Sequence, residues 1–288
     1  MSALRGDIAA ARRVVVKLGT NVVLDDDGVP AAARLAGIVE SIARLRTGGR
    51  ETVVVTSGAV SLGATGLGDG SATRRQACAA VGQGRLMAFY HAAFACHAMV
   101  PAQLLLTGRD FSDHARARQV GDTLDSLLAF GAVPVINEND AAFCAQRDAA
   151  DDHAASGSIP AFRDNDMLAA LVADCMGASL LVLLSDVDGV YTADPRVTSR
   201  ASLLPLLDHD ALAGSRPHAY TATEGDAARR ERGRGGMTAK LAAARHAAAA
   251  GVSVVIANGH ITGIVDRITA GEPVGTLVAP APRSGVLS

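Results

Sequence analysis

Val14-Val15-Val16-Lys17-Leu18-Gly19-Thr20 is the stretch on which the fold turns. Three β-branched residues in succession leave no polar face, as a strand covered by helices on both sides requires. The run then delivers a lysine and a glycine to one end of the strand. Only two of the 27 basic side chains are lysines, Lys17 and Lys240. Arginine is a broad planar fork, whereas lysine is a compact charge on a flexible stem that can follow a phosphoryl group in transfer. Lys240 closes Gly233-Arg234-Gly235-Gly236-Met237-Thr238-Ala239-Lys240. Both lysines therefore follow or adjoin glycines of the kind that let a backbone approach phosphate.

Outward from this run, short β-branched segments alternate with alanine- and leucine-rich ones. Strands are expected at 13–17, 52–56, 100–105, 133–136, 180–184, 252–256 and 276–278, with helices at 31–47, 74–97, 115–130, 165–176 and 237–250. That alternation predicts an α/β fold, a three-layer α/β/α sandwich around a mostly parallel sheet. Residues 1–288 show no internal repeat and no long linker, so a single domain is expected. Two segments break the rhythm: Ala141–Arg163, with no strong period, and the polar, basic Ser215–Arg234. Connections of this length are often lids or binding loops, and both flank candidate site residues.

Composition removes several function classes. The hydrophobic fraction is 49%, the charged fraction 19% and the net charge −2, the balance of a folded domain. There is no long basic stripe, aromatics are 3% and Trp is absent, which argues against nucleic acid as a partner. No apolar run reaches membrane-spanning length, and residues 1–7 lack a signal-peptide core, so no membrane association and a cytoplasmic location are expected. The four cysteines form no Cys-x-x-Cys pair and the eight histidines no metal-ligand spacing, so no protein-held metal site is expected.

Open parallel sheets bind ligands at the carboxyl ends of their strands. Those ends carry Lys17-Leu18-Gly19-Thr20, Thr56-Ser57-Gly58-Ala59, Asn137-Glu138-Asn139-Asp140 and Ser185-Asp186-Val187-Asp188-Gly189, while Asp164-Asn165-Asp166 opens a helix. Taken singly, each has a plainer reading: Asp164 or Asn165 serves equally well as a helix N-cap, and Asn-Asp clusters make turns. Residues 185–189 resemble the start of an EF-hand, but Arg196 occupies the position of its Glu. Residues 233–240 are not a Walker A loop, because Lys240 is followed by Leu241. Together they describe a phosphoryl-transfer site: two lysines bracket a γ-phosphoryl group, and an acidic residue holds them. Asn, Asp and Ser at neighbouring strand ends suit a zwitterionic amino acid. A carboxylate nucleophile, with a pKa near ~4.3, needs no general base.

The order of these motifs resembles the amino-acid kinase superfamily and, within it, the glutamate 5-kinases of proline biosynthesis. The resemblance is carried by Val15–Thr20, Val54–Ala59, Ala79–Gln83, Gln103–Thr107, Val133–Asp140, Asp164–Asp166, Asp186–Arg196 and Gly235–Lys240. It implies the carbamate kinase-like fold and ATP-dependent phosphorylation of the γ-carboxylate of L-glutamate, with Mg²⁺ bridging the ATP phosphates. Lys17, Lys240 and Asp166 become the expected catalytic residues. Ser57, Gly58, Asn137, Asp140, Asp164 and Asn165 become the expected glutamate pocket. Lys17, Gly19, Ser185, Asp186, Arg234, Gly235, Gly236, Met237 and Lys240 become the expected nucleotide site. The amino acid is expected on about residues 10–165, the nucleotide on about 166–280, and a homo-oligomer (dimer or tetramer) as the assembly.

The chain also departs from the family pattern. It ends soon after Gly275-Thr276-Leu277-Val278, so no PUA domain is expected. Arg234 replaces a usual Thr, Arg163 a usual Gly before Asp-Asn-Asp, and Ala64 a usual Arg after Gly63; Gln119-Val120-Gly121 stands for an Asn-Ala-Arg element. The phosphoryl-transfer core matches, whereas the surroundings of the acceptor are altered. A paralogue acting on a modified glutamate or other small carboxylate, or a catalytically weak nucleotide-binding regulatory subunit, is the alternative.

Overall fold

The computed structural model describes residues 2–67, 72–142, 164–195, 197–208 and 236–281. Eight strands form one sheet: β1 (Arg13–Leu18), β2 (Glu51–Val55), β3 (Pro101–Leu106), β4 (Val133–Glu138), β5 (Leu180–Ser185), β6 (Leu206–Leu207), β7 (Ser253–Asn258) and β8 (Thr276–Val278). Their order is β3-β4-β2-β1-β5-β7-β8-β6. Every pairing is parallel except β7 with β8. The nine α-helices among the described residues are α1 (Ser2–Ala9), α2 (Thr20–Val23), α3 (Ala32–Thr47), α4 (Ala59–Leu67), α5 (Ala72–Ala95), α6 (His114–Ala129), α7 (Asn165–Cys175), α8 (Met237–Ala249) and α9 (Ile264–Thr269).

The valine run behaves as its composition requires. Strand side chains alternate between faces, so Val14, Val16 and Leu18 enter one apolar layer while Val15 enters the other. Val14, Val16 and Leu18 share their layer with Leu35 and Ile42 of α3, Tyr90 and Phe94 of α5, and Ile264 and Ile268 of α9. Val15 shares the second with Leu124 of α6, Leu168 of α7 and Leu241 of α8. Lys17 continues the Val15 face, so register alone turns its ammonium toward α7 and α8. It pairs with Val55 on one side and Leu183 on the other, at the carboxyl end of the sheet.

All seven expected strands and all five expected helices are present, with ends moved by one or two residues. Sequence reading stopped β4 at Ile136, but the strand runs on through Asn137 and Glu138, which are both buried. Polar residues at a strand end look like a turn until a binding site accounts for their burial. Helix α4 escaped notice because Gly63 and Gly66 depress helix propensity. The packing supplies the reason for Gly63. A Cβ on Gly63 would lie 1.9 Å from the Cys78 carbonyl oxygen, and one on Gly82 would lie 1.8 Å from that of Ala59. Helices α4 and α5 therefore meet backbone against backbone, which only glycine permits.

Candidate active site

Lys17, Asp166 and Lys240 come from β1, the first turn of α7 and the first turn of α8. Lys17 Nζ lies 2.5 Å from Asp166 Oδ1, and Lys240 Nζ donates to Asp166 Oδ2 at 3.1 Å. All three side chains are buried, Asp166 completely. Burial pushes the Asp166 carboxyl up, but the two ammonium groups outweigh it and hold the carboxyl below its ordinary range. Its place in the first turn of α7 also sets it at the positive end of the helix dipole. Burial, with repulsion from Lys240, lowers the Lys17 ammonium although Asp166 opposes both. Two cations share one buried carboxylate, and the Asp164 and Asp186 carboxyls stand in the field of Lys17 and Lys240 respectively.

A chain of amides lies beside this triad, at the ends of β2 and β4. The Glu138 N–H donates to Asn137 Oδ1 at 2.9 Å and to Asn165 Oδ1 at 3.2 Å. Asn165 Nδ2 donates to Ser57 Oγ and to Asn137 Oδ1, both at 3.0 Å. Asn137 Nδ2 in turn donates to Gln83 Oε1 at 2.9 Å. Gly58, with φ of +97°, makes the left-handed turn that carries Ser57 into α4. Of the expected acceptor residues, Ser57, Asn137 and Asn165 are thus joined directly.

Asp164 does a different local job. Its Oδ1 accepts from the N–H groups of Asp166 and Met167, at 2.9 and 3.0 Å, as the N-cap of α7. The N-cap reading of Asp164 holds: the cap fixes α7, and its carboxylate stands in the field of Lys17 and Asp166. Asp140 and Asp164 also flank Glu138, a buried carboxyl that sequence reading passed over. Burial comes first, and repulsion from Asp140 and Asp164 adds to it; Arg75 on α5 opposes, and the Glu138 pKa is pushed up to about 8. Burial likewise raises Asp140, again against Arg75. Gln83 and Arg75 were missed as site residues because each sits inside a helical run, with no local sign that α5 crosses the end of β4. Gly82 was the available signal.

On the other flank of the triad, Asp186 Oδ2 accepts from Asn21 Nδ2 at 2.9 Å, and Oδ1 from Ser185 Oγ at 3.1 Å. Burial raises this carboxyl, but these donors and Lys240 bring it below its ordinary range. Next to it, Asp188 accepts from Asn258 Nδ2 at 2.8 Å and from the Tyr191 hydroxyl at 3.1 Å. Gly19 contributes space rather than a donor. Its N–H is taken by the Leu184 carbonyl at 3.1 Å, and a Cβ there would lie 3.2 Å from that oxygen and 3.9 Å from Lys17 Nζ. Gly236 is the N-cap of α8, followed by Met237 and, in the same turn, Lys240. Arg234, Gly235, Arg163, most of the 141–163 connection and the 215–234 segment lie outside the described residues. Among the described residues, no three His, Cys, Asp or Glu side chains gather as a metal cage, and no helix is long and apolar enough to cross a membrane.

Known proteins resemble this chain in sequence and in fold. The family model of the amino acid kinase family matches residues 12–258. The glutamate 5-kinase of Pelobacter propionicus is 40% identical over 93% of this chain and 68% of its own length. That of Streptomyces coelicolor is 42% identical over 89% of this chain and 64% of its own length. The delta-1-pyrroline-5-carboxylate synthase of Solanum lycopersicum is 39% identical over 95% of this chain and 38% of its own length. Among solved structures, UMP kinase from Bacillus anthracis superposes with a TM-score of 0.60 at 18% identity, covering 94% of this chain and 97% of its own. Isopentenyl phosphate kinase from T. acidophilum gives 0.60 at 16% identity, over 92% and 99%; both likenesses concern the fold. With a buried two-lysine, one-aspartate centre on a sheet of this order, the chain belongs to the amino acid kinase family and groups there with the glutamate 5-kinases.

Proposed function

We propose that the protein transfers the γ-phosphoryl group of ATP to the γ-carboxylate of L-glutamate, forming an acyl phosphate, L-glutamyl 5-phosphate. The observation that carries the proposal is the buried Lys17–Asp166–Lys240 centre, whose two cations hold opposite oxygens of one carboxylate. Asp166 fixes the two ammonium groups in advance, so they stabilise charge developing on the phosphoryl oxygens with little reorganisation. A γ-carboxylate oxygen attacks the γ-phosphorus, the bond to the β-phosphate oxygen breaks, and ADP leaves. No proton need be removed from the nucleophile, which explains a centre built of cations rather than a base.

The nucleotide belongs on the β5–α8 flank. There the N-terminus of α8 faces the same end of the sheet and supplies donors suited to phosphate. The amino acid belongs on the β2–β4 flank, where the amide chain can take a carboxylate and the Asp140 and Asp164 carboxyls an ammonium group. This divides the chain near residue 165 into an amino-acid part and a nucleotide part of one domain. A Mg²⁺ ion carried on the phosphates would neutralise their charge. Mg²⁺ held on phosphates needs only one or two protein carboxylates. Asp186, oriented by Asn21 and Ser185, is the carboxylate that would meet it.

The test is ADP release in the presence of L-glutamate, L-aspartate and N-acetyl-L-glutamate, with hydroxylamine trapping of the acyl phosphate. Glutamate-dependent ADP release with matching γ-glutamyl hydroxamate is expected, and aspartate, one methylene shorter, should be turned over poorly. Preference for another acid would move the substrate, and ADP release without hydroxamate would remove carboxyl phosphorylation.

A further inference from the structure

The amide chain has a direction, and that direction ends on a spare donor. A backbone N–H can only donate, so the Glu138 N–H forces Asn137 and Asn165 to turn their Oδ1 atoms toward it. Asn137 must then present Nδ2 to Gln83, which accepts through Oε1. Gln83 Nε2 is left over. It is buried and, among the described residues, no acceptor reaches it, in a residue only 8% exposed. At the other end of the chain, Ser57 Oγ accepts from Asn165 Nδ2, so its own proton remains to be donated. The polarity imposed by one backbone N–H thus leaves Gln83 Nε2 without an acceptor among the described residues, and the Ser57 hydroxyl with its proton still to donate.

We propose that Gln83 is a specificity-determining residue that binds the α-carboxylate of the acceptor amino acid through Nε2, with the Ser57 hydroxyl as the neighbouring donor. The proposal rests on the glutamate reading above and names the part of the substrate this corner recognises. Geometry assigns the α-carboxylate rather than the reacting one. Gln83 sits against Asn137 on β4, and β2 separates β4 from the β1 strand of Lys17. Two strand spacings are about 10 Å. An extended five-carbon diacid with a hydrogen bond of about 3 Å at each end covers that distance. The crossing at Gly82 holds Gln83 there, since the Ala59 carbonyl that it abuts lies two residues after Ser57. The neighbouring carboxyls of Asp140 and Asp164 repel a carboxylate but suit the adjacent α-ammonium, which gives the two groups on one carbon separate partners.

The decisive comparison pairs two variants with two acceptors. Gln83→Met keeps the length of the side chain and removes both polar atoms. Gln83→Glu keeps the acceptor for Asn137 and replaces the spare donor with a carboxylate oxygen. Each is assayed with L-glutamate and with 4-aminobutanoate, which is glutamate without its α-carboxylate, by turnover or as a competitive inhibitor. KM for glutamate is expected to rise about 10- to 100-fold in Gln83→Met, the usual effect of removing a donor to a charged group, and further in Gln83→Glu. KM for ATP should move less than twofold, and the constant for 4-aminobutanoate should stay within twofold of wild type in both variants. Parallel losses on the two acceptors, or an unchanged KM for glutamate, would overturn the assignment while leaving the phosphotransfer reading intact. Wild-type protein that forms no acyl phosphate from glutamate would overturn both.

Discussion

At the scale of single residues, the chain separates charge from shape. Lys17 and Lys240 could not be arginines without losing the approach of two compact ammonium groups to one buried carboxylate. Lys17→Arg and Lys240→Arg are each expected to lower kcat about 10²-fold or more while circular dichroism stays native; near-normal turnover in both would refute the two-lysine centre. Glu138 makes a second test, on stability. Its pKa moves from an ordinary 4.5 to about 8 on folding, so the folded chain binds a proton that the unfolded chain has released between those values. This contribution is fully present below pH 4.5 and is lost as pH rises through 8, by at most about 1.4 kcal/mol per pH unit for one proton. Asp140 and Asp164, also raised, act in the same direction at the acid end of that window. Glu138→Gln should therefore flatten the fall in thermal stability between pH 6 and 8; an unchanged slope would mean that Glu138 is ionised in the folded protein.

At the scale of elements, the crossing of α4 and α5 decides where Gln83 and Arg75 stand. Glycine inside a helix ordinarily costs about 0.5–1 kcal/mol relative to alanine, and α5 supplies both outcomes within three residues. Around Gly84 nothing lies within 4 Å of an added Cβ, whereas Gly82 has the Ala59 carbonyl at 1.8 Å. Gly84→Ala should raise the melting temperature slightly. Gly82→Ala should lower it, with overpacking of about 1–3 kcal/mol overriding the propensity gain, and should raise KM for glutamate by shifting Gln83. Equal effects from the two substitutions would show that the helices are not in backbone contact. The same crossing explains why α4 was hard to see in the sequence. The glycines that permit the contact are the residues that depress helix propensity, and the compensating packing comes from a helix beginning beyond residue 71.

At the scale of the whole molecule, one sheet carries both halves of the proposed site. β1 and β5 are adjacent, so the lysine of β1 and the Ser185–Asp186 end of β5 stand side by side between the two flanks. A ligand on either flank should then stabilise the whole chain. A non-hydrolysable ATP analogue with Mg²⁺, and L-glutamate, each at about 100 times its Kd, should each add about 2.7 kcal/mol and raise the melting temperature by several degrees. The transition should remain single because the β strands contribute to both apolar layers. Separate transitions, only one of them moved by nucleotide, would instead divide the chain into independent halves.

Much of this molecule is decided locally. Runs such as Val14–Val16 and Leu180–Leu184 are apolar on both faces whatever surrounds them, and that property alone calls for a parallel sheet between helical layers. The scarcity of lysine marked Lys17 and Lys240, and strand ends marked Ser57, Asn137, Asp140 and Asp186. What no local pattern contains is which of these groups meet. Asp166 and Lys240 are 74 residues apart and Asn137 and Gln83 are 54 apart, distances bridged by strand order and helix crossing rather than by spacing along the chain. The orientation of the amide chain depends on the Glu138 backbone N–H reaching two side chains at once, and the raised Glu138 pKa depends on burial among Asp140, Asp164 and Arg75. Both arise only when distant segments share one low-dielectric corner, which is why tertiary structure alone could single out Gln83 and Glu138.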